Sequence, residues 1–210
     1  MPELTHNEVF RQWALLAVKE TLNARVKDPA AWKISWKELR PRDFKLENLG
    51  MPKNSDFKVL GVNLPEFKGI LSHFTQPGKM FGDEFTDRLK VIACLEKPNM
   101  VHSEMFDNVL GDKAWARIRT LLESGDNDAQ IIFWGPADDI KTALETIEER
   151  GKMAFAGVPN ETRKSLPDGT TIFERVLPGA DRMYPDTDSA PIPLEDTTID
   201  EALNRLPQLV

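Results

Sequence analysis

The amino-acid sequence predicts an α+β fold, with helices on one face of a largely antiparallel or mixed sheet. Residues 56–71 alternate apolar and polar side chains around a turn, a pattern typical of two adjacent strands. The stretches 107–123 and 136–150 instead repeat apolar residues every three or four positions, which predicts helices. A short buried strand is expected between them at 129–134. Strands and helices in this order are typical of an α+β domain.

Local signals predict where two helices begin and end. Thr5 and Glu8 have the spacing of a capping box, which opens a helix that should run to about Asn23. Farther on, Pro136 suits the first position of a helix, and Arg150-Gly151 should end it. The first helix carries a broad apolar face, which we expect to pack against a larger body. This face consists of Val9, Phe10, Trp13, Ala14, Leu16 and Ala17.

Residues 26–55 allow two interpretations. Trp32, Ile34 and Trp36 alternate with polar residues, which predicts a half-buried strand within a linker. Basic residues beside aromatic side chains are also the composition that contacts RNA. We favour a linker strand with a solvated lysine face, because the protein as a whole is acidic. The basic residues are Lys33, Lys37, Arg40, Arg42 and Lys45.

A β-hairpin is predicted around residues 166–170. The sequence Leu-Pro-Asp-Gly-Thr suits a type I turn that is closed by a glycine with positive φ. The register of this loop pairs Lys164 with Ile172 and Glu161 with Arg175. The second pair would be an exposed cross-strand charge pair, which contributes little to stability.

The composition argues against several classes of protein. With 40% hydrophobic and 29% charged residues, the 210-residue chain is expected to be an ordinary soluble, cytoplasmic protein. A net charge of −7 argues against broad attraction to nucleic acid or to an anionic membrane. The single cysteine, Cys94, excludes an internal disulfide, and no apolar run has membrane-spanning length.

Most of the chain lacks the spacing of a known catalytic motif. It has neither a phosphate-binding loop nor a dinucleotide-binding fingerprint. His6, His73 and His102 lie far apart with no nearby cysteine, so a zinc site is not expected. His102 precedes Ser103-Glu104, but adjacent side chains point apart, and we interpret it as a packed or surface histidine. Glu84 is expected to lack the partner that a catalytic acid needs.

Residues 182–188 have the strongest chemical pattern. Arg182, Tyr184, Asp186 and Asp188 are evenly spaced, so in an extended backbone all four side chains point to one side. Two carboxylates at this spacing can share a magnesium ion or hold a cationic group. The alternative is a solvated acidic loop, which is the common role of such residues.

Four separated motifs in the second half of the chain resemble one family. They are Gly157-Val158-Pro159, Glu161-Thr162-Arg163, Pro167-Asp168-Gly169-Thr170-Thr171 and Arg182-Met183-Tyr184-Pro185. In this order they are similar to the GatE subunit of archaeal glutamyl-tRNA(Gln) amidotransferase, which is related to the bacterial GatB subunit. The chain departs from the family's pattern at Asp186, where the family has glutamate, and at Ala190-Pro191, where it has a proline pair.

The resemblance implies a domain arrangement. Residues 56–150 resemble the GAD module that GatE shares with bacterial aspartyl-tRNA synthetase, although Met80 stands where the family usually has arginine. This module would be inserted between two pieces of the family's cradle domain, residues 1–25 and 151–210, with 26–55 as a linker. The chain would then be a central fragment or a reduced relative of GatE.

The resemblance also implies an activity. The family's enzyme uses ATP and magnesium to phosphorylate the glutamate on Glu-tRNA(Gln), and a GatD-type glutaminase subunit supplies the ammonia that completes Gln-tRNA(Gln). Asp186 and Asp188 are then implied as catalytic residues and magnesium ligands, and Arg182 and Tyr184 as substrate-binding residues. Much of the family's nucleotide site lies upstream of the matched segment, so the chain alone should be inactive and bind no ATP or magnesium tightly. The alternative is a non-enzymatic GAD-type module that docks protein or tRNA.

Overall fold

The computed structural model of the chain describes residues 2–40, 49, 56–177 and 197. Its helices are α1 (Pro2–Arg25), α2 (Phe81–Ile92), α3 (Asp112–Leu122) and α4 (Ile140–Ala156). Its strands are β1 (Ser35–Leu39), β2 (Phe57–Leu64), β3 (Phe74–Gln76), β4 (Lys79–Met80), β5 (Met100–His102), β6 (Ala129–Pro136), β7 (Glu161–Ser165) and β8 (Thr171–Val176). Short 3-10 turns cover Pro29–Ala31 and Ala137–Asp139. No helix in this part of the chain is long and apolar enough to cross a membrane.

The central sheet has the strand order β1-β2-β6-β5, and every neighbouring pair is antiparallel. β2 pairs with β6 along its whole length, so the strand predicted at 129–134 is confirmed within β6. Residues 67–71 form turns, and the second strand predicted there is wrong. Glu66 and Gly69 take φ of 64° and 79°, which ends the extended path of the chain.

Helices pack on both faces of the central sheet. On one face, α1, α2 and α4 form the larger core with Leu60 and Val62 of β2. On the other face, α3 contributes Trp115 and Ile118 to a smaller core with Val59 of β2. The α+β class is confirmed, whereas the expectation that all helices lie on one face is wrong. Alternate side chains of β2 point to opposite faces, and apart from Asn63 the buried ones are apolar on both faces.

Helix α1 differs from the prediction in its start and in its buried face. It begins at Pro2 rather than at Thr5, so the predicted capping box is wrong. Most side chains of the predicted apolar face are exposed, and Trp13 is the most exposed of them at 67%. The exposed large side chains are Val9, Phe10, Trp13 and Leu16. The buried stripe consists of Arg11, Ala14, Leu15, Val18 and Leu22.

The strand expected within residues 26–55 is present as β1, which pairs with β2. It begins at Ser35, later than the alternating pattern predicted. Trp32 lies in the larger core and is only 4% exposed, while Trp36 on the strand is 51% exposed. The division of the chain into domains stays a prediction; residues up to Leu177 form one compact unit.

Three helix boundaries also differ from the predictions. Helix α4 starts at Ile140 rather than at Pro136, which is the last residue of β6. Helix α3 starts at Asp112, after a glycine with a φ of 76°, rather than at 107. Helix α4 continues past Gly151 to Ala156, so its predicted end is wrong. Gly151 permits close packing instead, because a Cβ atom there would lie 2.3 Å from Cη2 of Trp32.

The predicted hairpin forms from β7 and β8, and the pair Lys164–Ile172 is confirmed. The predicted pairing of Glu161 with Arg175 is wrong. The register shifts by one residue between Thr162 and Arg163, where β8 has the extra residue Glu174, and Glu161 therefore lies opposite Val176. The side chain of Glu161 is therefore not on a wet surface; it is 2% exposed.

Candidate functional site

The four site residues predicted from the sequence lie outside the described residues. They are Arg182, Tyr184, Asp186 and Asp188. Their roles in catalysis, metal binding and substrate binding stay predictions. The described chain before them ends at Leu177, directly after β8.

Buried charged side chains form a cluster where α1, α2, α4 and the β7–β8 hairpin meet. We call this group the arginine–glutamate cluster. Its members are Arg11, Glu84, Arg88, Arg150, Glu161 and Arg163. No member's side chain is more than 9% exposed. Burying an ion is unfavourable unless its charge is paired, so the pairing within this cluster matters for the fold.

Glu84, on α2, is one of the two carboxylates at the centre of the cluster. It accepts hydrogen bonds from Nε of Arg11 at 2.9 Å and from Nε and Nη2 of Arg150 at 3.0 and 2.7 Å. Nη1 of Arg163 lies 3.8 Å away. Burial opposes ionisation of Glu84, but the three guanidiniums outweigh it and lower its pKa to about 2. Glu84 is therefore a fixed anion at neutral pH and not a proton donor.

Glu161, at the start of β7, is the second central carboxylate. Its Oε1 accepts hydrogen bonds from Nη2 of Arg11 at 2.9 Å and from Nη1 of Arg163. Its Oε2 accepts a hydrogen bond from Nη2 of Arg88. One side chain of the hairpin thus contacts both α1 and α2.

Arg11 joins the two carboxylates. Besides its bonds to Glu84 and Glu161, it donates from Nη1 to Oε1 of Glu8 at 3.1 Å. All three of its guanidinium nitrogens therefore have carboxylate partners. Charge-assisted bonds of this kind are stronger than neutral ones, so Arg11 fastens α1 to both α2 and the hairpin.

Positive charge exceeds negative charge in the cluster. Four arginines face two buried carboxylates, and Glu8 adds a third at the rim. Two of the arginines also make cation–π contacts, which stabilise part of the excess positive charge. The Arg88 guanidinium lies 4.3 Å from the ring centre of Phe173, and that of Arg150 lies 4.4 Å from the ring centre of Phe81. Nη1 of Arg150 has no hydrogen-bond partner among the described residues.

A cavity of about 490 Å³ opens between α1 and the hairpin, beside the cluster. Arg11, Glu161 and Arg163 form part of its wall. The other lining residues are Glu8, Gln12, Val158, Pro159, Asn160, Ser165 and Thr171. The wall thus combines buried charges with hydrogen-bonding groups, a composition suited to a polar ligand.

A second polar network fixes the hairpin to β3. Nε2 of Gln76 donates to the main-chain oxygen of Thr171 at 2.9 Å, and the Thr171 amide donates to Oε1 of Gln76 at 2.7 Å. Arg163 donates from Nε to Oγ1 of Thr171 at 2.8 Å. The Gln76 amide thus gives one residue of β8 the donor and acceptor that a neighbouring strand would provide. The hairpin is held by these bonds as well as by the cluster.

His102 is a packed side chain, which is one of the two alternatives expected. It lies against Gly82, where a Cβ atom would be 2.5 Å from Nε2 of His102. Burial lowers its pKa to about 4, so the imidazole is neutral at pH 7. No group of three or more His, Cys, Asp or Glu side chains in the described ranges is placed to hold a metal ion.

The whole chain is similar to archaeal proteins that are named as GatE subunits of glutamyl-tRNA(Gln) amidotransferase. The GatE subunit of Pyrococcus furiosus is 35% identical over 214 residues, and that of Methanocaldococcus jannaschii is 35% identical over 211. The GatE subunit of Sulfurisphaera tokodaii is 33% identical over 215 residues. Each similarity covers 99% of this chain. The resemblance to GatE is confirmed. No protein-family model matches the chain.

The chain spans about a third of the length of the GatE relatives that it matches. The matched region covers 99% of this chain and so spans the positions of the arginine–glutamate cluster and of residues 182–188. The motif Glu161-Thr162-Arg163, on which the resemblance to GatE partly rests, supplies two members of the cluster. The motif therefore has a structural role that its sequence alone did not reveal.

Sequence reasoning missed the cluster because its partners lie far apart in the chain. Glu84 is 73 residues from Arg11 and 66 from Arg150. The partners of Glu84 are arginines that keep it ionised, so they are not the partner that a catalytic acid needs, and that expectation stands. One signal was available: Arg11 and Arg150 occupy positions on the buried stripes of α1 and α4, and arginine is almost never fully buried without a partner.

Proposed function

We propose that this chain forms part of a GatE-like subunit of a glutamyl-tRNA(Gln) amidotransferase. The enzyme would convert Glu-tRNA(Gln) to Gln-tRNA(Gln) with ATP, magnesium and ammonia from a GatD-type glutaminase subunit. The observation that carries this proposal is the similarity, over 99% of the chain, to proteins named for this activity. The chain by itself would neither hydrolyse ATP nor form Gln-tRNA.

The arginine–glutamate cluster would contribute structurally, because it holds the hairpin that carries the family motif Glu161-Thr162-Arg163 against α1 and α2. The reacting groups are those that the resemblance to GatE implies, and Asp186 and Asp188 would hold the magnesium ion. Arg182 and Tyr184 would donate hydrogen bonds to the phosphorylated carboxylate.

A chimera tests the proposal. The matching third of the Pyrococcus furiosus GatE subunit would be replaced by this chain, and the product assayed with Glu-tRNA(Gln), ATP, magnesium and the glutaminase subunit. We expect Gln-tRNA(Gln) to form. In the chimera, Asp188→Asn removes one charge at constant volume and should lower amidation at least tenfold, about 1.4 kcal/mol. Asp126→Asn, at an exposed position among the described residues, is the matched control and should leave the rate unchanged.

Two outcomes would contradict the proposal. If the chimera folds and binds tRNA but forms no Gln-tRNA(Gln), the chain is better described as a docking module than as part of an active site. If amidation is normal and Asp188→Asn has no effect at saturating ATP and magnesium, Asp186 and Asp188 are only a solvated acidic pair.

A further inference from the structure

Helix α1 carries an exposed apolar face, opposite the stripe that packs into the larger core. Each of its four large side chains is at least 41% exposed, and they are Val9, Phe10, Trp13 and Leu16. Val158 extends this face and is itself 39% exposed. It follows Gly157, where an added Cβ atom would lie 3.4 Å from Cδ2 of Leu16. The sequence predicts that this face packs against a larger body, and the core described above uses the other side of the helix.

The size of the face is typical of an interface. Aromatic side chains bury about 150–250 Å² each, so Phe10 and Trp13 together expose roughly 250 Å² of apolar surface. With Val9, Leu16 and Val158 the face reaches the few hundred Å² at which exposed apolar surface marks a site of interaction. A standard interface buries about 800 Å² on each partner, so a complex formed here should be weak and depend on concentration.

The residues of this face are arranged symmetrically about Trp13. Positions three, four and seven residues before and after it lie on the same side of a helix. All six of these positions are exposed, and they are His6, Val9, Phe10, Leu16, Ala17 and Glu20. The apolar residues thus lie at the centre of the face, and one basic and one acidic residue lie at its two ends.

A second copy of α1 complements the apolar centre of the face when the two helices run antiparallel. A two-fold axis beside Trp13 reverses the direction of the helix but keeps its left and right sides. Phe10 then lies over the small Ala17 of the other copy, and Val9 lies over Leu16 of the other copy. Large side chains therefore meet smaller ones on both sides of the axis, as close packing of two helices requires.

The charged ends of the face complement each other in the same arrangement. His6 of each copy lies beside Glu20 of the other, so the contact is made twice. A histidine can donate a hydrogen bond to a carboxylate in either of its protonation states. A parallel pair would instead place His6 beside His6 and Glu20 beside Glu20. Charge therefore favours the antiparallel pair.

We propose that α1 binds α1 of a second copy of this chain as an antiparallel pair, with Trp13 at the two-fold axis. A second copy is the occupant that this face favours, because its apolar centre and its two charged ends both match the same face turned end to end. The proposal goes beyond the amidotransferase function and does not depend on it.

Sedimentation velocity of the full chain tests the proposal. Between about 1 and 500 µM we expect a monomer–dimer equilibrium with a Kd of about 10–100 µM. Trp13→Ala should raise this Kd at least about tenfold, because it removes the largest side chain at the axis. Trp36→Ala, at an exposed tryptophan of β1, is the control and should leave the Kd unchanged. A urea titration at about 1 µM, where the chain is monomeric, checks that both variants fold.

Exchange of the two charges tests the antiparallel arrangement. Glu20→Lys alone places two basic residues together, and His6→Glu alone places two glutamates together. Each should raise the Kd at least about threefold, since the contact occurs twice in the dimer. His6→Glu combined with Glu20→Lys restores opposite charges and should return the Kd to its natural value or below.

Three outcomes would overturn the proposal. One is a chain that stays monomeric at every concentration, which would leave the face for another part of a longer GatE-like subunit or for a different protein. Another is a Trp36→Ala variant that weakens the dimer as much as Trp13→Ala does. The third is a combined charge variant that dimerises as weakly as the two single ones.

Discussion

Glu84 is the residue on which the pairing of the buried arginines depends most directly. Its buried carboxylate neutralises part of the charge of Arg11, Arg150 and Arg163. Glu84→Gln keeps the volume but leaves the guanidiniums with too few anions. We expect the free energy of unfolding to fall by about 3–5 kcal/mol, measured by urea titration.

The control for this prediction is Glu20→Gln, at an exposed position of α1, which should change stability by less than about 0.5 kcal/mol. Equal effects of the two substitutions would mean that the cluster contributes no net stability through Glu84. A further comparison is Glu84→Met with Arg150→Met. Replacing both partners by apolar residues should cost less than Glu84→Gln, because no unpaired charge remains between them.

His102 makes stability depend on pH. Its pKa is about 4 in the folded chain, below its ordinary value of 6.5, because burial disfavours the imidazolium. The unfolded state therefore binds a proton first as the pH falls, and stability decreases between about pH 6.5 and 4. The contribution is about 3 kcal/mol, from 1.36 kcal/mol per pKa unit. His102→Gln should remove this part of the pH dependence in urea titrations, whereas His6→Gln, at an exposed position, should not. If the free energy of unfolding of His102→Gln depends on pH in the same way as that of the natural chain, His102 is not the source of this pH dependence.

At the scale of secondary-structure elements, Gly151 sets how closely α4 approaches the segment before β1. Alanine favours a helix over glycine by about 1 kcal/mol, so propensity alone predicts that Gly151→Ala is stabilising. The added methyl group would lie 2.3 Å from Trp32, however, and that buried ring has little room to move. We expect a net loss of about 1–3 kcal/mol in urea unfolding. The loss should shrink in a Trp32→Leu background, and an equal loss there would rule out this contact as its cause.

The same elements show what sequence patterns can and cannot predict. The hairpin turn and the position of β6 follow from local rules, because a proline, a left-handed glycine and a run of apolar residues act within a few positions. The buried face of α1 does not, because Arg11 belongs to it only through Glu84 and Glu161, which lie 73 and 150 residues away. The predicted pairing of Glu161 with Arg175 failed for the same reason, because the partners of Glu161 on α1 and α2 lie far from it in the chain. A buried arginine partner favours an inward carboxylate at the end of the hairpin, and the turn carries no information about that partner.

In the described unit as a whole, buried ion pairs connect segments that the resemblance to GatE assigns to different domains. Segment 56–150 supplies Glu84, Arg88 and Arg150, α1 supplies Arg11, and the hairpin supplies Glu161 and Arg163. An autonomous inserted module would keep its buried charges paired without its neighbours. Here, residues 56–150 alone would leave Arg88 without Glu161, and Glu84 with one arginine instead of three.

We therefore expect residues 56–150 to be unstable when separated from the rest of the chain. A specific protease site introduced between Gly50 and Met51 allows the chain to be cut without removing any cluster residue. After cleavage the two pieces should co-elute in size-exclusion chromatography and separate only in denaturant, because Arg11 still pairs across the cut. Residues 56–150 expressed alone should unfold at a lower urea concentration than the cut complex. If that fragment is as stable as the complex, the segment is an independent module and the cluster adds nothing to its stability.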